Sequence, residues 1–243
     1  QAWEWGKLTG NLQVTFNPQG EVKSWKGEAV KIEANSPVDR RVEALVAALR
    51  KPVAALISEK TGETAMELDR GAENTMGYVV IDAQVAFLKD KGVVAGLMNP
   101  GGVRRNLPKG PVNYGDLIEV QPFANTLVIV DLTGAEFKAV LEQGLGAART
   151  LIPSAGTSFT INSKAAEGSR IEDLVIGGAP MEPTKTYKIV VNSFMAVGGD
   201  SLFILKDKAA KLDTGLLDID ALVAFFKANS PVAPKPAERV KRI

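Results

Sequence analysis

The first part of the chain alternates hydrophobic and polar positions with the period of a β-strand. Asn11-Leu-Gln-Val-Thr-Phe16 alternates strictly, the turn residues Asn17-Pro-Gln-Gly20 follow, and two further short runs lie at 21–25 and 28–33. Alternation with period two is typical of strands with one buried face, and Pro and Gly mark the turns between them. We therefore predict a small β-meander over residues 1–34.

A helical pattern replaces this alternation after residue 35. Apolar residues recur every three or four positions between Asp39 and Arg50, and Pro52 follows. Proline disfavours the helical conformation in the residue before it, so the helix should end close to that point. We predict a linker helix within residues 35–52 and a second domain over residues 53–243.

Helical and strand patterns alternate in this second domain. Helical spacing over 74–91 precedes the continuous apolar run Val93-Val-Ala-Gly-Leu-Met98, which is typical of a buried strand. The same patterns predict strands at 126–131, 157–161, 171–176 and 186–192 and helices at 134–145 and 219–228, the last with Asp218 as its N-cap. The order lacks strict βαβ regularity, so we predict an α+β (mixed α/β) fold, a layered domain of mixed sheets covered by helices.

Composition narrows the possible partners. The chain of 243 residues is 45% hydrophobic and carries a net charge of +1, which provides a core but no overall field for a nucleic-acid backbone or an anionic membrane. No apolar run approaches the roughly 18 residues of a membrane-spanning helix. We therefore expect no nucleic-acid partner and no membrane span. Basic residues gather near the end of the chain, which we interpret as a solvated terminus: Lys235, Arg239, Lys241 and Arg242.

The chain contains no His and no Cys. This excludes Ser-His-Asp and Cys-His catalytic sites, imidazole or thiolate zinc sites, and disulfides. Catalysis by this chain would have to use carboxylates, Lys, Tyr or Ser, and the pairs Asp116/Glu119 and Asp218/Asp220 are candidates for an autonomous carboxylate enzyme. Asp and Glu are also common cap and surface residues, so these pairs alone are weak evidence.

Three loops concentrate residues suited to a ligand. In Asn99-Pro-Gly-Gly-Val-Arg104, Gly101 and Gly102 let backbone N–H groups approach a ligand, and Arg104 supplies a planar five-donor guanidinium. Loops at the carboxyl ends of buried strands are where α/β folds place ligands. Pro-Gly-Gly is also an ordinary turn.

The other two loops add aromatic and acidic groups. Ser193-Phe-Met-Ala-Val-Gly-Gly-Asp200 follows a predicted strand and contains the paired Gly198 and Gly199, while Gln121-Pro-Phe-Ala-Asn125 sets Phe123 beside a proline. Phe123 and Phe194 would separately be interpreted as core residues, and Asp200 as a cap. Together with Arg104 they provide aromatic faces for a base, a carboxylate for ribose hydroxyls and a cation for phosphate.

These loops, in this order, resemble the C-terminal domain of the 5′-nucleotidase/UDP-sugar hydrolase family. The family pattern has Asn-x-Gly-Gly-x-Arg, then Pro-Phe-Gly, then Phe-x-Ala-x-Gly-Gly-Asp. A fourth segment, Arg70-Gly-Ala-Glu-Asn-Thr-Met-Gly77, resembles a helix start of the same domain, and the resemblance covers nearly the whole chain from about residue 53. The stretch from Trp5 to Phe16 looks like the last strands of the family's N-terminal metallophosphatase domain.

The resemblance implies a role for each matching residue. Phe123 and Phe194 would sandwich a nucleobase, and Asp200 would accept hydrogen bonds from ribose hydroxyls. Three further side chains would face the base or the phosphate: Asn99, Arg70 and Arg104. The chain departs from the pattern at Met66, where many relatives have a further Arg, and at three positions where Gly is common: Pro100, Ala124 and Ser201.

The resemblance also implies what surrounds this chain. It would be the nucleotide-binding specificity domain of a hydrolase of nucleotide catabolism, with a nucleoside or nucleotide as substrate. In the family the N-terminal metallophosphatase domain binds two divalent metal ions with Asp, Asn and several His, so a chain without His is expected to be inactive alone. Relatives of this layout are typically periplasmic or extracellular. The alternative is a stand-alone nucleotide-binding or interaction module with no catalytic partner.

Overall fold

A computed structural model of the chain describes residues 2–3, 6–71, 74–146, 150–235 and 238–243. The chain divides into two compact units, Gln1–Val53 and Ala54–Ile243. In the part of the chain that is described, every helix is too short or too polar to cross a bilayer.

The first unit contains a β-hairpin and a helix. Strand β1 (Leu8–Phe16) pairs antiparallel with β2 (Val22–Lys31), so the two runs at 21–25 and 28–33 contribute to one strand and the segment is a hairpin rather than a meander. Helix α1 (Arg40–Arg50) begins after Asp39, whose side chain accepts a hydrogen bond from the Arg41 amide. All residues of β2 and α1 are exposed. The predicted match at Trp5 lies outside the described residues.

The second unit contains the remaining helices and strands. Its helices are α2 (Ala54–Ile57), α3 (Thr75–Phe87), α4 (Tyr114–Val120), α5 (Gly134–Gly146), α6 (Ser193–Ala196), α7 (Phe203–Asp207) and α8 (Asp218–Asn229). Its strands are β3 (Lys60–Thr64), β4 (Ala95–Met98), β5 (Gly110–Asn113), β6 (Thr126–Thr133), β7 (Ile152–Pro153), β8 (Ser158–Ile161), β9 (Ile171–Ile176), β10 (Ala179–Pro180), β11 (Thr186–Asn192), β12 (Lys211–Leu217) and β13 (Val240–Arg242).

A five-stranded mixed sheet in the order β12-β6-β11-β4-β7 forms the centre of this unit. Strand β11 pairs antiparallel with β6 and parallel with β4, with Ile189 opposite Ala95. A four-stranded sheet, β10-β9-β8-β13, and the pair β3-β5 complete the strands. The predicted class, mixed sheets covered by helices, is confirmed.

Strand β6 of the central sheet is buried on both faces. Along β6, Leu127 and Ile129 pack into a core cluster with residues of α3 and α8, whereas Val128 and Val130 pack into a second cluster with residues of α5. Successive side chains of a strand point to opposite faces, so a strand covered on both sides needs apolar residues at every position. This explains the continuous apolar runs in the sequence.

The end of the chain is anchored in the core. Strand β13 pairs in parallel with β8, and the Arg239 side chain is buried, with its guanidinium 4.2 Å from the centroid of the Tyr78 ring. Asp82 on α3 neutralises the Arg239 charge. The prediction of a solvated terminus is therefore wrong for Arg239. Its carboxylate partner, Asp82, is distant in sequence, so no local sequence pattern indicates the ion pair.

Candidate functional site

The topology of the central sheet brings the three loops together. Strands β4 and β11 are parallel, so their carboxyl ends lie at the same edge, and β6 is antiparallel to β11, so its amino end lies there too. Asn192 pairs with Leu127 at this edge. The loops that follow β4 and β11 and the loop that precedes β6 therefore meet although they are distant in sequence.

A cavity of about 410 Å³ opens between these loops. This volume lies in the usual range for small-molecule sites, roughly 300–1,000 Å³. Its lining includes predicted site residues from all three loops: Asn99, Gly101, Gly102, Arg104, Phe123, Phe194 and Asp200. Two further lining residues, Asn125 and Asn192, were not predicted from the sequence. Three predicted residues are not among the lining residues: Arg70, Gly198 and Gly199.

The two phenylalanines contribute exposed rings to this cavity. Phe123 is 53% exposed and Phe194 is 45% exposed, which excludes the interpretation of either ring as a core residue. The Arg104 guanidinium carbon lies 5.7 Å from the centroid of the Phe123 ring, within the distance for a cation–π contact. The cavity thus combines two accessible aromatic faces with a cation.

Gly199, the second of two paired glycines, sets the position of the Phe194 ring. A β-carbon at residue 199 would overlap this ring, so Gly199 lets the ring lie directly against the backbone. Gly198 has φ +95°, a backbone conformation that residues other than glycine rarely adopt. Gly199 therefore supports the aromatic wall, although neither glycine is among the cavity's lining residues.

Amide and carboxylate groups form the polar side of the cavity. The Asn99 Nδ2 donates to Asp200 Oδ2 at 2.9 Å, and Asn192 Nδ2 donates to Asn99 Oδ1 at 2.9 Å. Asn99 and Asn192 are almost fully buried. Asp200 has left-handed backbone angles, φ 54° and ψ 30°. Strained conformations of this kind cluster at functional sites.

Arg70 supports the site from behind. Its Nη1 donates to the carbonyl oxygen of Arg104 at 3.1 Å, and Arg104 Nη1 donates to the carbonyl oxygen of Gly101 at 3.1 Å. The sequence motif that contains Arg70 includes Ala72 and Glu73, which lie outside the described residues. Motif resemblance alone did not distinguish this supporting position from a lining one.

The departures from the family pattern fall at special backbone positions. Ala124 and Ser201 have φ of 51° and 65°, and this left-handed region favours the glycine that is common there in the family. Pro100 begins a 3₁₀ turn, Pro100–Gly102, where its fixed φ is accommodated. Met66 is exposed and is not among the cavity's lining residues.

The carboxylate pairs considered for an autonomous enzyme do not line this cavity. Asp116 and Glu119 both accept from Arg105 Nη1, at 3.1 and 2.6 Å, and Asp116 also forms a capping box with Asn113 at the start of α4. Their contacts are those of a structural cluster.

Asp218 and Asp220 lie in different environments. Asp218 is buried and Asp220 is exposed. Burial raises the pKa of Asp218 to about 6, because the charged form loses hydration, and the hydrogen bond from Asn125 opposes this rise. Asp218 is the first residue of α8 rather than its N-cap, which is Leu217. Asn125 Nδ2 donates to Asp218 Oδ2 at 3.3 Å, so Asp218 supports a lining residue.

The described residues contain no group of side chains that could bind a metal ion. Their carboxylates form no cluster of three or more that could hold a metal ion, and the whole chain lacks His and Cys. The two-metal centre that the resemblance places in an N-terminal domain has no counterpart among the described residues.

Comparison with known proteins identifies the family. Residues 53–207 match the family model described as "5'-nucleotidase, C-terminal domain". A 5'-nucleotidase-related protein of Glossina morsitans morsitans is 31% identical over 96% of this chain and 47% of its own length. Protein UshA of Escherichia coli is 29% identical over 96% of this chain and 46% of its own length.

A solved structure agrees with these relatives. The crystal structure of a 5'-nucleotidase precursor from Thermus thermophilus has a TM-score of 0.83 and 32% identity, over 100% of this chain and 51% of that one. The chain thus spans about half the length of the relatives named here. By the family match over residues 53–207, this chain belongs to the 5'-nucleotidase C-terminal domain family.

Proposed function

We propose that the cavity binds a nucleoside or nucleotide and that this chain is the specificity domain of a 5'-nucleotidase-type phosphoester hydrolase. The observation that carries the proposal is the placement of two exposed phenylalanine rings, Phe123 and Phe194, in one cavity with Asp200 and Arg104. Exposure of an aromatic ring to water is unfavourable, and an aromatic ligand stacked on the ring would remove that exposure. The combination of the two rings with a carboxylate and a cation fits an aromatic ligand that carries hydroxyl and anionic groups.

Each proposed role follows from the chemistry of the group. The rings of Phe123 and Phe194 stack on the base, which has an apolar π-face. The Asp200 carboxylate accepts hydrogen bonds from ribose hydroxyls, because an ionised carboxylate is an acceptor only. Arg104 supplies positive charge for the phosphate or for the base edge. Asn99 holds Asp200 and presents amide atoms to the same cavity.

The proposed partner is an N-terminal metallophosphatase domain of the same full-length protein. The relatives are about twice as long as this chain. The first unit displays large apolar side chains, among them Trp25 at 70% and Leu49 at 66% exposed, which would suit a covering domain. The two metal ions and the hydrolytic step would belong to that domain, and a periplasmic or extracellular location remains a prediction from the resemblance.

The alternative is a stand-alone binding module without a catalytic domain, and sequencing the gene upstream of Gln1 distinguishes the two. A catalytic partner requires coding sequence upstream of Gln1 with Asp-x-His and Asn-His motifs. The chain alone should not hydrolyse 5′-AMP or UDP-glucose with Mn²⁺, Zn²⁺, Mg²⁺ or Ca²⁺. Turnover that survives repurification and scales with protein concentration would contradict this expectation.

Calorimetry with adenosine and AMP tests binding directly. Replacing Phe194 by Ala should weaken binding by about 5- to 150-fold, because stacking one base on an aromatic ring is worth roughly 1–3 kcal/mol. Phe203, which is 54% exposed on α7 and outside the cavity, provides the matched control. The Phe203→Ala variant should bind as the unmodified chain does. Equal affinity in a well-folded Phe194→Ala variant would remove the stacking site.

A further inference from the structure

Asn192 ends strand β11 at the polar wall of the cavity, which it helps to line. It is 1% exposed, and its side chain is hydrogen-bonded through both of its polar atoms. Its Oδ1 accepts from the Met195 amide at 2.9 Å, and its Nδ2 donates to Asn99 Oδ1 at 2.9 Å and to Met98 Sδ at 3.4 Å. The same side chain therefore caps helix α6 and contacts the binding site.

These bonds have a fixed direction. A backbone N–H can only donate, so the Met195 amide requires the oxygen of Asn192 on its own side. The nitrogen of Asn192 then faces Asn99 and requires the oxygen of Asn99 there, which leaves the Asn99 nitrogen to donate to Asp200 Oδ2 at 2.9 Å. Turning either amide would place two donors or two acceptors against each other in a buried region. One backbone N–H thus sets the orientation of two amide side chains and directs the donor of the second, Asn99, at the Asp200 carboxylate.

The last member of this series needs such support. Asp200 has a left-handed backbone and is followed by Ser201 with φ 65°, conformations that cost free energy for residues other than glycine. Asn99 is 4% exposed, so an unmatched amide there would lose hydration without compensation. A bond from an amide to a carboxylate is also among the stronger hydrogen bonds.

We propose that Asn192 is a positioning residue for ribose recognition: through Asn99 it orients the Asp200 carboxylate toward the cavity. The proposal rests on the proposed function, in which Asp200 binds the sugar. It assigns no contact with the base to Asn192, and it gives Asn99 the role of holding Asp200 rather than of facing the base, so it separates the two halves of a nucleoside. Loss of the Asn192 N–H should weaken a ribonucleoside and spare the free base.

Asn192→Asp is the sharpest test. The substitution keeps the shape and the acceptor for the Met195 amide but removes the donor to Asn99. The Asn99 amide must then turn to donate to the new carboxylate, and its oxygen faces Asp200 as a second acceptor. By calorimetry, adenosine binding should weaken by about 10-fold or more while adenine binding changes by less than about 2-fold.

Two variants serve as controls, one for the added charge and one for the proposed action of Asn192 through Asp200. Asn125→Asp places the same change in the same cavity, at an amide that donates to Asp218 instead, and it should alter adenosine and adenine binding to a similar degree. Asp200→Ala should reproduce the selective loss of adenosine. Adding Asn192→Asp to Asp200→Ala should then cause no further loss, which a general structural defect would not reproduce.

The outcomes separate the two proposals. If the unmodified chain does not bind adenosine, or if Asp200→Ala binds it normally, the proposed function fails. If Asp200→Ala is selectively impaired and Asn192→Asp binds adenosine normally, the positioning role of Asn192 is overturned. Should Asn192→Asp lower the melting temperature too far for binding studies, Asn192→Ser retains a capping oxygen, and its shorter side chain lacks the amide nitrogen that reaches Asn99. Equal adenosine affinity in that variant would overturn the role as well.

Discussion

Arg239 and Asp82 form a buried, two-pronged ion pair that ties the end of the chain to helix α3. Nη2 of Arg239 lies 2.7 Å from Oδ2 of Asp82, and Nη1 lies 2.9 Å from Oδ1. The Arg239 Nη1 also donates to the Pro153 carbonyl oxygen, and Asp82 Oδ1 accepts from the Ala155 amide. The pair therefore connects three separate segments of the second unit.

Arg239→Ala should destabilise the protein strongly. The substitution leaves the Asp82 carboxylate buried without its cation, and breaking a buried pair in this way typically costs about 3–5 kcal/mol. The free energy of unfolding in urea measures the loss. Lys241→Ala, an exposed change in the adjoining strand β13, should stay within about 0.5 kcal/mol. Similar stabilities for the two variants would contradict a structural role for Arg239.

Phe123 and Phe194 should act on the base as a coupled pair. A base held on both faces is desolvated on both, so removing the second ring after the first should cost less than removing it from the intact site. Calorimetry on Phe123→Ala, Phe194→Ala and the double variant with adenosine completes the cycle. Additive losses would show that the rings do not share one base, and a large loss of stability would point to packing instead.

Ala124→Gly should stabilise the protein by up to about 1 kcal/mol. Ala124 has φ 51°, and an alanine in this left-handed region is strained by about 1–2 kcal/mol relative to glycine. The greater conformational freedom of glycine in the unfolded chain offsets part of this gain. Urea unfolding is the measurement. Ala139→Gly, the same substitution inside helix α5, should have the opposite sign. A stability loss at both positions would show that Ala124 is not strained.

Asp218 should make the folded state less stable as the pH rises from about 4 to about 6. Its pKa in the folded chain is raised by burial from 3.8 to about 6, so the folded state binds this proton more tightly than the unfolded state. The resulting stabilisation is complete below pH 4 and lost above pH 6, and it amounts to at most about 3 kcal/mol.

Asp218→Asn should therefore gain in stability relative to the unmodified chain as the pH rises through this window. Urea unfolding at several pH values follows the difference. The same substitution at the exposed Asp220, on the same helix, controls for the loss of an acidic group near the helix start. A difference that stays constant between pH 4 and pH 7 would show that burial does not shift the titration of Asp218.

The hairpin of the first unit should exchange its amide hydrogens much faster than the central sheet does. All of β2 and most of β1 is exposed, whereas β4 is buried along its whole length. Local opening exposes amides more readily where few apolar contacts resist it. Hydrogen exchange should give lower protection over residues 10–33 than over residues 93–98. Equal protection would contradict the prediction that the hairpin opens more readily than the central sheet.

Sequence patterns were informative where burial is complete and poor elsewhere. Strands β4, β6 and β11 were predicted because both of their faces are apolar. Strands β3 and β12 were missed, since their sequences, Lys60-Thr-Gly-Glu-Thr64 and Lys211-Leu-Asp-Thr-Gly-Leu-Leu217, mix polar residues and glycine on partly exposed positions.

The site was predictable only as far as its residues are unusual in sequence. Glycine pairs and loop phenylalanines marked the three loops. Asn125 and Asn192 were missed because asparagine is common in turns and caps, and only the pairing of β6 with β11 places them at the cavity. Whether Phe123, Phe194 and Asp200 have the proposed roles stays a prediction until binding is measured.

Ligand binding at the cavity depends on folding, because the cavity forms where β4, β6 and β11 meet at one edge of the sheet. The cavity exists only while these strands are paired, so a ligand of this cavity binds the native state and not the unfolded chain. Such a ligand raises the free energy of unfolding by mass action, about 2.7 kcal/mol at a concentration of 100 times its Kd. A melting-temperature screen of nucleosides that differ in base would therefore rank base preference in this chain without any enzymatic assay.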